Sequence, residues 1–354
     1  MPEGIIEKVS LAPYTTLQIG GVADYLCEVG SVEELEEVCQ WAKQTNTPLL
    51  VLGGGANVLI SDEGFRGLVV QIKIKGVSVT EESDTEVHVR VGAGESWDSF
   101  VAYTVKQGWS GLENLSGIPG TVGASPVQNI NAYGASVADT VVSVEVLDTN
   151  DRVVKNVSHA ECQFGYRDSI FKQAVGSSYI VTAVTFKLMP AASANLSYRS
   201  SSQSIARYLA EKNISNPTLT DIRAAILYAR RNIGMREGQF RSAGSFFKNT
   251  IVSKKDFEFI AQVVSIQFPE LGEKMSPWHW ELPTQEVKVS SAFLMECSPY
   301  NKETYGNKRW NGVVGLSPKH SLSLVTEEGA TANDVRIFAE EIIFAVKNIF
   351  NVTL

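Results

Sequence analysis

The sequence predicts an α+β protein that is built from two parts. Three observations support this prediction. Apolar residues recur with the 3.6-residue period of a helix in several stretches, they alternate with polar residues over 139–188, and the composition shifts to Ser, Ala and Pro at 189–204. Alternation is typical of an antiparallel sheet, and the compositional shift indicates a junction. We therefore assign residues 1–190 to a first domain and residues 191–354 to a second, smaller domain.

Local signals place the elements of the first domain. Residues 31–46 predict a helix, because Ser31 and Glu34 match a capping box ahead of an apolar stripe. The stretch 47–72 predicts a strand, a glycine-rich turn, a second strand, another turn and a third strand. Residues 86–109 predict a strand followed by a helix.

The second domain combines helices and strands. Helical spacing predicts helices at 219–233, 253–267 and 331–349, and the last of these has the most regular amphipathic pattern. Strands are expected at 287–296 and 321–326. The second domain is therefore also α+β.

The composition excludes several classes of protein. With 354 residues, 44% hydrophobic and 20% charged, the chain is typical of a soluble globular protein of about two domains. Its net charge of -8 argues against a nucleic-acid partner. No apolar run reaches the roughly 18 residues of a membrane helix, and no signal-peptide pattern begins the chain. The four cysteines lack CxxC or zinc-like spacing, so we expect a cytoplasmic protein with no metal and no membrane partner.

A first glycine loop, residues 53–58, lies between two apolar stretches in "VLGGGANVLI". Three consecutive glycines let backbone N–H groups approach an anion closely, and Asn57 adds a polar side chain where the loop ends. The loop is not a Rossmann fingerprint, which needs G-x-G-x-x-G at the start of a helix. From the pattern alone, a tight structural turn and a ligand-binding loop both remain open.

A second glycine loop, residues 117–123, lies inside the longer segment "GLENLSGIPGTVGASPVQNINAYG" (111–134). Gly117, Gly120 and Gly123 recur every three residues around Pro119. The segment is too long and its side chains too small for an ordinary connection. A structural Ω-loop and a wall packed against a flat cofactor and its diphosphate are both consistent with it.

Four motifs occur in a specific order in this chain: "LGGGANVLI", "GLENLSGIPGTVGASPVQNINAYG", "CQFGYRDSIFK" and "SAGSFFKN". With them the chain resembles the UDP-N-acetylenolpyruvoylglucosamine reductase family, flavoproteins of bacterial peptidoglycan precursor synthesis, from about residue 11 to the last residue. The resemblance implies an FAD-binding domain of the vanillyl-alcohol-oxidase (PCMH) type and a smaller α+β substrate-binding domain. It also implies a cytoplasmic enzyme of cell-wall biogenesis, which serves cell shape and cell division, and we expect a monomer.

The resemblance also implies the cofactors. FAD is expected to be bound non-covalently, because neither glycine loop contains His or Cys, and NADPH is the expected hydride donor. The residues that this resemblance assigns to FAD are Gly53, Gly54, Gly55, Ala56, Asn57, Val58, Gly117, Ile118, Pro119, Gly120 and Gly123.

The implied reaction reduces the enolpyruvyl ether of UDP-N-acetylglucosamine to UDP-N-acetylmuramate. A hydride goes to the methylene carbon, and a proton goes to the adjacent carbon. Arg167 suits the substrate carboxylate, because a guanidinium pairs with it in bidentate fashion, although spacing alone also allows an ion pair with Asp168. By resemblance, Ser245 in "SAGSFFKN" is the proton donor.

Six further residues are candidates for binding the substrate. Tyr198 is equally consistent with an exposed loop tyrosine, and His320 with a structural role. The candidates are Tyr133, Tyr166, Tyr198, Arg230, Asn249 and His320.

The chain departs from the family pattern at several positions. Ile233 stands where the family has a phosphate-binding lysine twelve residues before the serine, so that Arg230, Arg231 or Arg236 would have to replace it. Thr250 replaces a usual proline, and Asn131 replaces a usual glycine.

The last residue, Leu354, precedes the place of a glutamate that the family uses in catalysis. We expect a truncated chain or a catalytically impaired FAD-binding homologue, with Glu113 as the alternative source of the carboxylate. An FAD-dependent oxidase on the same fold is the other alternative function.

Overall fold

The computed structural model describes residues 1–190 and 202–354, and only the backbone of residues 202 and 203. The described residues fall into two units. The first unit contains Met1–Tyr14, Gly21–Ala56 and Glu63–Arg231, and the second contains Thr15–Gly20, Asn57–Asp62 and Asn232–Leu354. The predicted boundary at residue 190 differs from this division, because the helices between residues 202 and 231 group with the first unit.

Among the described residues, the first unit contains two larger sheets and four α-helices. Its strands are Ile6–Ser10 (β1), Val22–Val29 (β2), Leu49–Leu52 (β3), Phe65–Ile72 (β4), Val77–Glu82 (β5), Val87–Gly92 (β6), Trp109–Ser110 (β7), Asn131–Ala132 (β8), Ala135–Ser136 (β9), Val141–Asp148 (β10), Val153–Ser158 (β11) and Tyr179–Pro190 (β12). Its helices are Val32–Gln44 (α1), Trp97–Gln107 (α2), Ser202–Glu211 (α3) and Leu219–Asn232 (α4).

The two sheets differ in strand direction. One has the order β1-β2-β4-β3, in which β4 runs parallel to both β2 and β3. The other is antiparallel with the order β11-β10-β12-β6-β5, and β7 extends it by pairing with β12. The alternating stretch 139–188 therefore forms antiparallel strands, as predicted.

The core of the first unit lies between these sheets and helices α1 and α2. Trp97 and Phe100 of α2 pack on Phe186 of β12, and all three rings are almost fully buried. On α1, the predicted stripe is buried at Leu35 and Val38. Burial of this kind contributes about 1.5–3 kcal/mol per large apolar side chain, so it stabilises the unit strongly.

The second unit is smaller and also mixes helix and strand. Its strands are Thr250–Ser253 (β13), His279–Glu281 (β14), Glu286–Val289 (β15), Val314–Ser317 (β16) and His320–Thr326 (β17), and its helices are Lys254–Gln267 (α5), Pro269–Lys274 (α6), Ser291–Glu296 (α7), Lys302–Tyr305 (α8) and Ala332–Phe350 (α9). The strands form the sheets β13-β15-β14 and β16-β17. Helix α9 buries Val335, Phe338 and Ile342 against them, which confirms the most regular helical pattern of the sequence.

Two predicted strands are wrong in part. Residues 57–60 form no strand after the first glycine loop, because the chain leaves the sheet and joins the second unit. There Asp62 accepts hydrogen bonds from the N–H groups of Ala332 and Asn333 at the start of α9 (2.7 and 2.9 Å). The predicted strand 287–296 ends at Val289, since the hydroxyl of Ser290 caps helix α7.

Across residues 1–190 and 202–354, no helix is both long and apolar enough to cross a membrane. The same residues contain no group of three or more His, Cys, Asp or Glu side chains that could hold a metal ion.

Candidate active site

The two glycine loops meet backbone to backbone in the first unit. A Cβ atom on Gly54 would lie 2.8 Å from the Cα of Gly120, and one on Gly53 would lie 2.7 Å from the hydroxyl of Thr121. Real Cβ atoms do not come so close to other heavy atoms, so glycine is required at Gly54 by packing. The sequence predicted both loops, and the structure brings them together.

The second glycine loop is fixed to the chain between β6 and α2. The backbone N–H groups of Val122 and Gly123 donate to the carbonyls of Glu95 and Ala93 (both 2.9 Å). The N–H of Trp97 donates to the carbonyl of Gly120 (3.1 Å). These bonds hold the loop without any long side chain and leave its backbone close to the first loop.

An ion pair that the sequence analysis missed holds the start of the second loop. The carboxylate of Asp98 accepts a hydrogen bond from the N–H of Gly117 (2.6 Å) and two from the guanidinium of Arg223 on α4 (2.6 and 2.8 Å). Partial burial acts to raise the pKa of Asp98, but the bonds from Arg223 and Gly117 hold that pKa below its ordinary value. The partners are 125 residues apart, so no local pattern reveals the pair.

Helix α4 also covers the second glycine loop directly. Gly117 has a left-handed backbone with φ of 72°. A Cβ atom there would lie 2.8 Å from Leu227 and 3.0 Å from Arg230, both side chains of α4. The same face of one helix therefore presses on the loop and carries Arg223.

The two loops fit the diphosphate of a dinucleotide cofactor. Side chains are excluded at Gly53 and Gly54 by neighbouring atoms, and Gly55 and Gly120 have φ of 64° and 117°, which favour glycine. Such a surface exposes backbone N–H groups, which bind anions. Of the other assigned residues, Ala56 belongs to this unit, Ile118 packs on its core and Pro119 is half-buried, whereas Asn57 and Val58 belong to the second unit.

Tyr166 and Arg167 form the tip of a tight turn in the first unit. The N–H of Gly165 donates to the carbonyl of Asp168 (3.0 Å), and the side-chain amide of Asn129 donates to the carbonyl of Gly165 (3.0 Å). Asn129 lies six residues after the second glycine loop, so this bond connects the "FGYRDS" turn to the end of that segment.

The guanidinium of Arg167 does not form an ion pair with Asp168. Among the described residues it makes no ion pair, and its backbone adopts a left-handed conformation with φ of 55°. Burial lowers the pKa of Arg167, but a guanidinium stays charged at neutral pH. The side chain is therefore a half-buried cation, which suits a carboxylate ligand.

Two predicted substrate residues contact each other in the first unit. The side chains of Tyr133 and Arg230 share a hydrogen bond, and only 8% of Arg230 is exposed. Burial raises the pKa of Tyr133, while the neighbouring Arg230 acts in the opposite direction. Arg230 lies on α4, the helix that covers the second glycine loop.

Ser245 lies in the second unit on a segment that pairs with β17. It forms an antiparallel bridge with Ser323, and the N–H of Phe246 donates to the carbonyl of Leu322 (2.9 Å). Ser245 is exposed, and its hydroxyl makes no hydrogen bond to any described residue. Phe247, two residues later, is buried in the core of the unit.

His320 begins β17 and is held in one tautomer. Its Nδ1 atom accepts a hydrogen bond from the N–H of Leu322 (3.1 Å), so the proton of the neutral ring lies on Nε2. Burial lowers the pKa of His320 to about 4, and Lys302 acts in the same direction, while Glu296 opposes them. The ring is therefore neutral at pH 7 and can donate one hydrogen bond.

A carboxylate that the sequence analysis missed, with a side chain only 9% exposed, lies near His320. Glu296 accepts hydrogen bonds from the ammonium of Lys302 (2.5 Å) and from the hydroxyl of Ser321 (2.6 Å). Ser321 directly follows His320 in the pattern "SPKHS", and Lys302 precedes it by fewer than twenty positions. Nothing in the spacing of Glu296 and Lys302 distinguishes them from ordinary surface charges.

Two other predicted residues have simpler surroundings. The side-chain oxygen of Asn249 accepts a hydrogen bond from the N–H of Ser291 (3.2 Å) at the start of α7. Glu113 accepts bonds from the hydroxyl of Ser110 (3.2 Å) and the N–H of Gly111 (2.7 Å), which gives it a structural role. Tyr198 lies outside the described residues.

Comparisons with known proteins agree with this geometry. Residues 23–156 match the family model of an FAD binding domain, and residues 236–354 match that of the UDP-N-acetylenolpyruvoylglucosamine reductase C-terminal domain. The chain is therefore a flavoprotein, and its first unit holds an FAD-binding domain, as predicted.

Similar proteins identify the family. The chain is 41% identical to a UDP-N-acetylenolpyruvoylglucosamine reductase of Thermobifida fusca over 100% of this chain and 97% of that protein. It is 35% identical to the one of Flavobacterium johnsoniae over 99% and 97%. The crystal structure of the enzyme from Thermus caldophilus is 25% identical, with a TM-score of 0.62 over 95% of this chain and 93% of that one. The chain belongs to the UDP-N-acetylenolpyruvoylglucosamine reductase family of FAD-containing oxidoreductases.

Proposed function

We propose that the protein reduces the enolpyruvyl ether of UDP-N-acetylglucosamine to UDP-N-acetylmuramate, with NADPH as the hydride donor. The reaction would supply peptidoglycan precursors in the cytoplasm and so serve cell-wall biogenesis, cell shape and division. The observation that carries the proposal is the backbone contact between the two glycine loops at Gly54 and Gly120, in a chain whose family is defined over its whole length.

FAD is held in this proposal by the backbone of the two glycine loops, without a covalent bond. When bound, FAD would supply the transfer of a hydride from NADPH to the methylene carbon of the enolpyruvyl group. The clamp of Asp98 and Arg223 keeps the second loop in place for the diphosphate. The chain supplies the remaining groups from its own side chains.

Arg167 binds the substrate carboxylate. As the hydride arrives at the methylene carbon, negative charge develops on the adjacent carbon and the carboxylate. A guanidinium that makes no ion pair among the described residues can form two parallel hydrogen bonds to that carboxylate and stabilise the charge.

Ser245 then gives its proton to the adjacent carbon. A serine hydroxyl is a weak acid, but an enolate carbon is a strong base, so correct placement is sufficient. The exposed hydroxyl of Ser245, free of hydrogen bonds to described residues, supports this role.

The nucleotide is bound by the remaining candidates. Arg230 takes the place of the absent lysine at a phosphate, with Tyr133 beside it. Neutral His320 donates a hydrogen bond from Nε2, and Asn249 contacts the uridine. Tyr133 and Tyr166 line the substrate cavity, and Tyr198, which lies outside the described residues, is proposed to bind the nucleotide. The protein acts as a monomer, without metal, membrane or nucleic acid.

An anaerobic titration tests the proposed function. NADPH should bleach the yellow flavin, and UDP-N-acetylglucosamine enolpyruvate should restore its colour with formation of UDP-N-acetylmuramate. Turnover of an alcohol that consumes dioxygen and needs no NADPH would instead identify an oxidase. A flavin that NADPH reduces but the enolpyruvyl nucleotide does not reoxidise would contradict the assigned substrate.

A further inference from the structure

The segment that carries Ser245 pairs with β17 through a shift in register. Arg241 lies opposite Thr326, and Ser245 lies opposite Ser323. Three residues, 242–244, separate these pairings on one side, whereas two residues of β17 separate them on the other. The additional residue makes 242–244 a β-bulge, which we call the serine bulge.

The serine bulge decides where the next side chain points. Because side chains alternate along a strand, one additional residue turns every following side chain to the opposite face. Gly244 gives the bulge its left-handed residue, with φ of 75°, and an added Cβ would meet no atom within 4 Å among the described residues. Bulges beside active sites commonly re-aim one side chain, and here that side chain is Ser245.

Two hydroxyl groups hold the serine bulge. The Oγ atom of Ser242 accepts a hydrogen bond from the N–H of Gly244 (3.1 Å), and it lies 2.8 Å from the Oγ atom of Ser323. Ser323 is 1% exposed, so this pair is buried on the β17 side. The bulge is thus tied both to itself and to the strand opposite Ser245.

We propose that Ser242 and Ser323 are positioning residues, whose paired hydroxyls hold the serine bulge in the geometry that presents the Ser245 hydroxyl for proton transfer. The inference rests on the proposed function, in which Ser245 is the donor. A displacement of about 1 Å at a reacting group can cost up to about 100-fold in rate, so a looser bulge should slow protonation. It should leave the reduction of FAD by NADPH unchanged.

Rapid-mixing measurements on Ser242→Ala, Ser242→Thr and Ser265→Ala test this inference. In Ser242→Ala, reoxidation of the reduced flavin by UDP-N-acetylglucosamine enolpyruvate should slow by about tenfold, while reduction by NADPH keeps its rate. Ser242→Thr keeps the hydroxyl and should restore the rate to within about threefold. Ser265→Ala removes an exposed hydroxyl bonded within helix α5 and should change neither step.

A double variant shows whether Ser242 acts through Ser245. In the Ser245→Ala background, Ser242→Ala should slow reoxidation by less than about twofold more, because the group that it positions is already gone. A further tenfold loss in that background would overturn the inference, and so would a wild-type rate in Ser242→Ala. A wild-type rate in Ser245→Ala alone would instead refute the donor role on which the inference rests.

Ser323→Ala gives a second measurement if Ser242→Ala does not fold. It removes the hydroxyl pair but keeps the bond from Gly244 to Ser242, so we expect a smaller loss of about threefold in reoxidation. FAD content and melting temperature are measured for each variant. Slower reoxidation that accompanies lost FAD or slower NADPH reduction would mean a general structural role and would contradict the inference.

Discussion

Gly54 in the first unit and Gly244 in the second both lie in short loops beside proposed functional groups, but glycine is favoured at the two positions for different reasons. A Cβ on Gly54 would lie 2.8 Å from the backbone of Gly120, whereas one on Gly244 would meet nothing within 4 Å among the described residues. At Gly244 glycine is instead favoured by the left-handed backbone, with φ of 75°. A loop that closes against another backbone tolerates no side chain, whereas a loop that only turns tolerates one at a moderate energetic cost.

The largest effect should follow from Gly54→Val. Its side chain would meet the backbone of Gly120, which cannot move aside as a flexible side chain can, so the two glycine loops must separate. We expect the purified variant to be colourless, as measured by flavin absorbance per mole of protein. Gly30→Ala is the control, because its Cβ would meet only the flexible carboxylate of Glu34 at 3.6 Å, and it should keep its FAD. A full complement of flavin in Gly54→Val would mean that FAD binds elsewhere.

The next effect concerns Arg167, whose turn is joined to the second glycine segment by Asn129. Arg167→Lys keeps the positive charge but cannot make two parallel hydrogen bonds to a carboxylate. We expect reoxidation by the enolpyruvyl nucleotide to slow by about 10–100-fold, with FAD content unchanged. The matched control is Arg152→Lys, an exposed arginine of the same unit. Equal reoxidation rates in Arg167→Lys and the wild type would remove Arg167 from carboxylate binding.

A smaller effect should follow from Asp98→Asn. The variant leaves Arg223 without its carboxylate and weakens the bond to the Gly117 amide, so we expect FAD to bind about tenfold more weakly. Since the folded-state pKa of Asp98 is lowered, the clamp is charged at neutral pH and is lost only as the pH falls through that lowered pKa. Fluorescence titration should therefore show that the affinity for FAD changes little between about pH 5 and pH 8, because Asp98 stays charged over this range. Unchanged FAD affinity in the variant would show that α4 does not hold the loop.

The smallest effect should come from Gly244→Ala. An alanine at positive φ costs about 1 kcal/mol, which lowers the melting temperature by about 2–4 °C, and there is room for the methyl group. Gly244→Asn should cost less, because Asn adopts the left-handed region more readily. Both variants should keep full FAD. Loss of FAD in Gly244→Ala would contradict the comparison, because substitutions at Gly54 and Gly244 would then both abolish FAD binding.

Local patterns in the sequence predicted the elements that depend mainly on neighbouring residues, such as capped amphipathic helices. The helix that became α9 carries a regular apolar stripe, and Thr331 and Asp334 cap its start with a reciprocal capping box. In the helix that became α1, Ser31 caps the N–H of Glu34 as predicted, but the carboxylate of Glu34 accepts from Gly30 rather than from Ser31. The α+β class was predicted from the helical and alternating apolar patterns, and the FAD-binding domain was predicted from motif order rather than from any single motif.

The features that the sequence did not predict depend on contacts between residues that lie far apart in the chain. The strand expected directly after the first glycine loop does not form, because Asp62 binds the start of α9, 270 residues later in the chain. The ion pair of Asp98 with Arg223 spans 125 residues, and the serine bulge depends on its register against β17. No spacing rule within either segment contains these partners. The prediction about the residues that would follow Leu354 stays a prediction.

The central claim is that the first unit holds FAD and the second unit supplies the proton, and Ser245→Ala tests it most directly. Single-turnover absorbance of the flavin is recorded anaerobically, first with NADPH and then with UDP-N-acetylglucosamine enolpyruvate. We expect the variant to be bleached by NADPH at the wild-type rate, while recovery of the flavin colour with product formation slows by roughly 10²–10⁴, as for the loss of one acid–base group. Recovery at the wild-type rate would contradict the claim, since the proton would then come from another group.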